Sequence, residues 1–361
     1  MDICQSTGRF PVIDLRSCHA PTCFIRKIYS ETPVFLPRVV NSRRQARLSA
    51  SETLDNRMFI LGMGFVGKFF AQELKSQGWT VRGSCTSLAK KKKLEEMGFD
   101  AWVLMQMNQS EPEFMDSLNH HTHLLVSIPP VVGIGDPILQ HEELLKSRLM
   151  DGNLKWICYL SSTSVYGSCG GVLVDEDYPV SPVDEKAKRR LAAECGWLNF
   201  GQDLGISTQV FRLGGIYGPG RSAVDTIIKQ EPLSEIQRMR ASRHFTSRIH
   251  VADICQALMA SIDKPSSCPG KIYNIVDDDP SPRLEVFSYA WDLVDRKWPG
   301  HIKHRGPLHG SPPFSTDTSR MGEKRVSNIR MKEELGVRLI HPSYKSGLKN
   351  IVEHMKNNPF L

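Results

Sequence analysis

Residues 58 to 67, MFILGMGFVG, set Gly62, Gly64 and Gly67 at G-x-G-x-x-G spacing directly behind a short apolar run. The chemistry this spacing suits is anion binding. Gly62 permits a tight turn, Gly64 lacks the Cβ that would block a pyrophosphate, and Gly67 lets a following helix close onto the strand. Phe65 and Val66 complete the loop, so that backbone N–H groups at a helix N-terminus face the phosphates. The residues after it, KFFAQEL, continue with helical spacing of Phe69, Phe70 and Leu74. A strand before the loop and a helix after it make this a dinucleotide-binding signature rather than a chance glycine turn.

The surrounding elements must hold that loop in place. Trp79 to Cys85 reads as a second strand, Leu88 to Met97 as a helix, Ala101 to Leu104 as a third strand and His123 to Ile128 as a fourth. Ile138 to Leu149 reads as a helix, Lys155 to Ser161 as a fifth strand, Asp184 to Leu204 as a long helix and Ser207 to Leu213 as a sixth strand. Such βα alternation predicts an α/β fold, a doubly wound parallel sheet of Rossmann type, with ligands at the carboxyl ends of its strands. Those ends are the glycine loop, Ser84 to Ser87, Ser127 to Pro130, Ser161 to Gly167 and Leu213 to Gly220. Ser127, Ser161 and Leu213 are therefore expected at the cofactor. Past Gly220 the regularity loosens, and a small C-terminal substrate lobe is expected, mainly from residues 221–246 and 277–361, on a Rossmann domain spanning 55–361. Proline-rich Gly306 to Ser315 reads as a surface loop.

With 40% hydrophobic and 24% charged residues, the 361-residue chain has the composition of a soluble globular protein. The apolar stretch Leu124 to Ile134 is broken by proline and far shorter than the roughly 20 residues of a membrane span, so no transmembrane segment is expected. The net charge of +7 sits mostly in residues 1–50, which hold eight of the 46 Lys and Arg and only three of the 39 acids. That distribution argues against nucleic acid as a partner. Arginine- and serine-bearing and poor in acids, the segment is expected to be a disordered organelle transit peptide, for the chloroplast stroma or alternatively the mitochondrion. A tail with no address is the competing reading. The nine cysteines show no CxxC pair, and His120, His121 and His123 have no acidic or thiol partner at ligand spacing. No metal is expected, and the histidines read as a solvated start to the fourth strand.

LGMGFVG, YLSSTSVYG, VFRLGGIYGPGR, RIHVADICQAL, KIYNIVDDDP and KRVSNIRMKEELG follow one another along the chain. This ordered set resembles the extended short-chain dehydrogenase/reductase superfamily, in its atypical NAD(P)-dependent epimerase/dehydratase-like, sugar-nucleotide epimerase-like branch. The resemblance covers about Met58 to Leu348. It implies that catalysis rests on a Ser or Thr and on a Tyr-x-x-x-Lys pair in the following long helix. The lysine makes the tyrosine a usable acid near neutrality and grips the nicotinamide ribose, while the hydroxyl orients the substrate oxygen. Ser162 matches the serine, with Thr163 as its neighbour; a strand-end serine satisfying local backbone groups is the alternative. On the helix, Lys186 aligns with the tyrosine and Arg190 with the lysine, and no Tyr-x-x-x-Lys occurs anywhere in the chain. Arginine can bond ribose hydroxyls but does not exchange protons, and Lys186 would need burial to serve as the acid/base. The resemblance also puts Arg221 and Arg248, with Arg212 and His250, near a substrate cleft, where they would bind an anionic group or anchor the lobe.

An Asp or Glu ending the second strand would accept from the ribose 2′-hydroxyl of NAD and repel a 2′-phosphate. Here the strand ends RGSCTS. Ser84, Thr86 and Ser87, with Arg82 and Lys90 within reach, suit a phosphate, which points to NADP rather than NAD. The expected function is an NADP-binding oxidoreductase or epimerase/dehydratase-like protein acting on a small polar substrate, with sugar nucleotides as the class that the resemblance suggests. A non-catalytic NADP(H) sensor or scaffold is the alternative. The resemblance allows for a homodimer.

Overall fold

The computed structural model of the chain describes residues 56–104, 112–150, 152–230, 245–264, 270–301, 323–355 and 359–360. The expected presequence, residues 231–244 of the expected lobe and the proline-rich stretch 306–315 lie outside the described residues.

Strand β1 (Arg57–Leu61) is all but invisible to solvent, as is β4 (His123–Val126). Runs of this kind form strands covered on both faces. With β2 (Thr80–Cys85), β3 (Asp100–Val103), β5 (Trp156–Ser162), β6 (Ser207–Leu213) and β7 (Lys271–Ile275) they form one sheet in which every pairing is parallel. The seven-stranded sheet has the order β7-β6-β5-β4-β1-β2-β3. Strand order reverses between β1 and β4, which opens a crevice at their carboxyl ends.

Helices α1 (Phe65–Ser76), α2 (Leu88–Glu96), α3 (Pro112–Asn119), α4 (Glu142–Leu149) and α5 (Glu185–Leu204) make the crossovers. One face of the sheet is sealed by Val66, Phe70 and Leu74 of α1 and by Ile254 and Leu258 of a helix at Val251–Asp263. The other is sealed by Phe114 and Leu118 of α3, Leu145 and Leu149 of α4, and Trp197 and Phe200 of α5. The helix expected over 138–149 starts as a 3-10 turn, Leu139–His141, before α4 begins.

After Gly220 come α6 (Ala223–Lys229), α7 (Val251–Asp263), α8 (Arg283–Lys297), α9 (Ile329–Leu335) and α10 (Tyr344–His354). Helices α6, α8 and α10 build a separate apolar cluster through Val224, Leu293, Val294, Leu348 and Val352. By contrast, α9 packs Met331 and Leu335 into the sheet core, so the span 277–361 is divided between lobe and core.

One reading is corrected at the base of the sheet. His121 and His123 are buried, not solvated, with 2% and 3% exposure. His121 bonds Ser117 O through Nδ1 (2.6 Å), and His123 lies edge-on to Trp79 and tilted on Trp156. Burial pushes their pKa values down to about 4 and about 3, so both are neutral core residues.

Candidate functional site

Gly62 has φ +94°, a left-handed conformation that favours glycine. Its N–H donates to Ser84 Oγ (3.0 Å) and that of Met63 to Ser84 O (2.7 Å), which staples the loop to β2. A Cβ on Gly67 would lie 2.5 Å from Gly62 O, whereas one on Gly64 would meet nothing within 4 Å. The loop is thus closed underneath and open above. Gly64 provides no side-chain cap, and the first backbone bond of α1 runs from Lys68 N–H to Gly64 O (3.1 Å). The amides of Phe65, Val66 and Gly67 are left at the helix end, where anions bind. On the β4 side, Ser127 and Ile128 lie against Gly62, with Ile128 N 3.3 Å from where its Cβ would be. These features fit a dinucleotide pyrophosphate.

Several of the expected cofactor contacts take other parts. Ser84 is fully buried and committed to the loop, so its hydroxyl cannot reach a ribose phosphate. Val66 and Leu213 bury their side chains in the core, which leaves Val66 only its amide. Arg82 is paired with Asp100 (2.9 Å) instead of turning toward the strand end. Thr86 is exposed, and Lys90 Nζ donates to its Oγ1 (2.8 Å), while Ser87 caps α2 by accepting from Lys90 N–H. A cation, a hydroxyl and a helix N-terminus therefore meet at the end of β2.

At the end of β5 the two serines diverge. Ser161 is buried and donates to Glu194 Oε1 on α5. Ser162 is half-buried and caps the 3-10 turn Thr163–Tyr166 by accepting from Ser164 N–H (3.2 Å). The Ser162 hydroxyl keeps its own proton to donate. Thr163 is buried at the start of the same turn.

Helix α5 carries Lys186, Arg190 and Glu194 on one face, four residues apart. Lys186 is exposed in the first turn, without the burial expected of a proton-transferring lysine. Arg190 is half-buried and donates from Nη1 to Leu160 O (3.3 Å). Glu194, 1% exposed, receives Arg212 Nη2 at 2.8 Å, and Arg212 Nη1 reaches Tyr166 OH (3.0 Å). Tyr166 donates to Asn274 Oδ1 (2.8 Å), and Asn274 N–H donates to Glu176 Oε1 (2.7 Å). Burial pushes the Tyr166 phenol up, against the pull of Arg212, so it stays a neutral donor. The four-residue spacing that puts Glu194 on the face of Lys186 and Arg190 is a sequence signal that could have drawn attention to it.

Arg248 is tied to the lobe. It is buried and donates to Thr246 O (3.0 Å) and Ser281 O (2.7 Å), with its guanidinium over the Tyr344 ring. Those contacts are the ones its reading as an anchor of the lobe calls for, and they take up two of its N–H groups. Beside it, burial pushes Asp277 up to about 8, opposed by the Arg248 charge. His250 accepts from Ala252 N–H at Nδ1, and burial holds it neutral. Arg221, in contrast, is exposed, with its guanidinium 5.4 Å from the Phe65 ring centroid.

Comparison with known proteins agrees with this geometry. Residues 142–276 match the family model described as the NAD dependent epimerase/dehydratase family. The chain is 30% identical to Protein YeeZ of Escherichia coli K12 over 228 residues, 61% of this chain and 77% of that protein. It is 30% identical to a functionally unknown conserved protein from Silicibacter pomeroyi, whose structure covers 84% of this chain and all of its own, with a TM-score of 0.66. The fold is also that of a UDP-glucose 4-epimerase from Thermotoga maritima, solved with UDP-glucose, at 16% identity, 83% and 98% coverage and a TM-score of 0.64.

Proposed function

This chain belongs to the NAD dependent epimerase/dehydratase family, and from that membership we propose that it is a nicotinamide-dependent oxidoreductase or epimerase/dehydratase-like enzyme acting on a small polar substrate. The observation that carries the reading is the glycine loop at the end of β1, stapled to Ser84 below and open above Gly64, with the Ser162 hydroxyl at the end of β5, two strands along the same sheet. When bound, the nicotinamide ring supplies or accepts hydride.

The chain's own residues bind and orient. The amides of Phe65, Val66 and Gly67 hold the diphosphate. Thr86 and Lys90, with the start of α2, receive a ribose 2′-phosphate, which makes NADP the preferred form. Ser162, whose oxygen is already occupied by Ser164 N–H, donates its proton to the substrate oxygen. Arg190, fixed to Leu160 O, offers its remaining N–H groups to ribose hydroxyls. The basic segment 1–50 would direct the protein to the chloroplast, which a fluorescent fusion of those residues tests.

A second reading is favoured by the exposure of Lys186. With a solvated lysine and a non-titrating arginine at the two helix positions, the chain would bind NADP(H) as a sensor or scaffold without turnover. NADPH binding followed by fluorescence is expected under both readings. Turnover across carbonyl and sugar-nucleotide substrates, reduced at least about a hundredfold in Ser162→Ala with NADPH binding intact, supports the enzyme. Binding with no turnover across that panel supports the sensor.

A further inference from the structure

The segment Gly218-Pro219-Gly220-Arg221 is a tight turn whose ends exchange both backbone bonds, Gly218 N–H to Arg221 O (3.1 Å) and Arg221 N–H to Gly218 O (3.0 Å). Proline in its second position and Gly220 at φ +79° in its third are the requirements of a type II turn. The turn is pressed onto the glycine loop. A Cβ on Gly218 would lie 2.6 Å from Val251 Cγ1 at the start of α7 and 3.2 Å from Phe65 Cζ of α1, so any larger residue would shift the turn against both.

The result is that Arg221, from beyond the sheet, is held against the first residue of α1. Its guanidinium lies over the Phe65 ring, 5.4 Å from the centroid. Phe65 directly follows Gly64, above which the loop is open. Among the described residues no carboxylate lies within ion-pair distance of Arg221, whereas Arg82 and Arg212 each have one and Arg330 has two. Stacking on an aromatic face orients a guanidinium while leaving its in-plane N–H groups available.

We infer that Arg221 binds the cofactor diphosphate, supplying a full positive charge beside the α1 amides, and is not a substrate ligand. The inference rests on the reading of the glycine loop as the dinucleotide site. It assigns the charge that the helix end, with only a partial dipole, lacks. It also gives the turn after Gly218 a role: the cofactor's phosphates join the glycine loop to the segment leading into the lobe.

Full-length protein and Arg221→Gln are compared by calorimetric titration with NADPH, with ADP-ribose, which carries the diphosphate without nicotinamide, and with 2′-AMP, which has no diphosphate. The expected result is a rise in Kd of about tenfold or more for NADPH and ADP-ribose, with 2′-AMP within about twofold. Arg221→Lys is expected to recover only part of the loss, because an ammonium stacks less well on Phe65. Unchanged ADP-ribose affinity in Arg221→Gln overturns the inference and returns Arg221 to the substrate. Equal weakening of all three probes also overturns it, since the defect would then lie in the loop as a whole. If the wild-type chain binds neither NADPH nor ADP-ribose, the cofactor reading itself fails, an outcome distinct from an insensitive variant.

Discussion

The guanidinium of Arg212 lies side-on to the carboxylate of Glu194, with Nη2 2.8 Å from Oε2 and Nε 3.1 and 3.3 Å from the two oxygens. Both side chains are almost wholly excluded from water, at 4% and 1% exposure. A buried pair of this kind is satisfied only as a unit, and here Ser161 and Tyr166 complete it.

Removing one partner strands the other charge in the core. Glu194→Ala is expected to destabilise the fold by about 3–5 kcal/mol, measured by urea unfolding. Replacing both residues by leucine should cost less than the sum of the single losses, since no charge is then left unpaired. Additive losses would mean that the pair is not the unit described.

Gly67 and Gly64 should separate stability from binding. Gly67→Ala drives a Cβ to 2.5 Å from Gly62 O, so both the melting temperature and NADPH affinity should fall. Gly64→Ala meets no neighbour, and its unfolding free energy should stay within about 1 kcal/mol of wild type. Its Cβ occupies the space a phosphate needs, and dinucleotide affinity should drop about tenfold or more.

Lys90 should decide the cofactor. Its ammonium, held on Thr86 Oγ1 at 2.8 Å, has no task with a bare ribose. Lys90→Ala should weaken NADPH about tenfold and leave NADH within about twofold, read as two titrations. Equal losses for both would remove the argument for NADP.

Acid should destabilise the fold through the buried histidines. Their folded pKa values, about 4 for His121 and about 3 for His123, lie below the usual 6.5. A depressed value contributes stability that is present above pH 6.5 and is lost as pH falls toward the folded value, because the unfolded chain takes up protons that the core refuses. Each should cost roughly 2 kcal/mol by pH 5. His123→Phe, which keeps an aromatic ring beside Trp79 and Trp156, should flatten the slope of unfolding free energy between pH 7 and pH 5. An unchanged slope would show that other groups carry it.

The sheet, the glycine loop and the strand-end hydroxyls were legible in sequence because each is a local pattern. Residues with the right chemistry were nonetheless misplaced where depth mattered. Ser84 has the hydroxyl a phosphate would want, yet it points into the loop it supports. His121 and His123 are polar letters in a buried strand approach, and ring contacts with Phe59, Trp79 and Trp156 are not visible as periodicity. The network through Tyr166 joins residues 46 and 108 positions away, a relation that spacing along the chain does not encode.

Helix α5 ties its two ends to different jobs. Glu194 fixes the rotation of the helix about its axis from within the core, so whatever occupies positions 190 and 186 inherits a set azimuth over the β5 strand end. Exchange of the side chains at those two positions leaves the Glu194 anchor in place. Lys186→Tyr with Arg190→Lys would thus set a Tyr-x-x-x-Lys pair on a helix still anchored by Glu194, and the present chain is one setting of a dial whose hub does not turn.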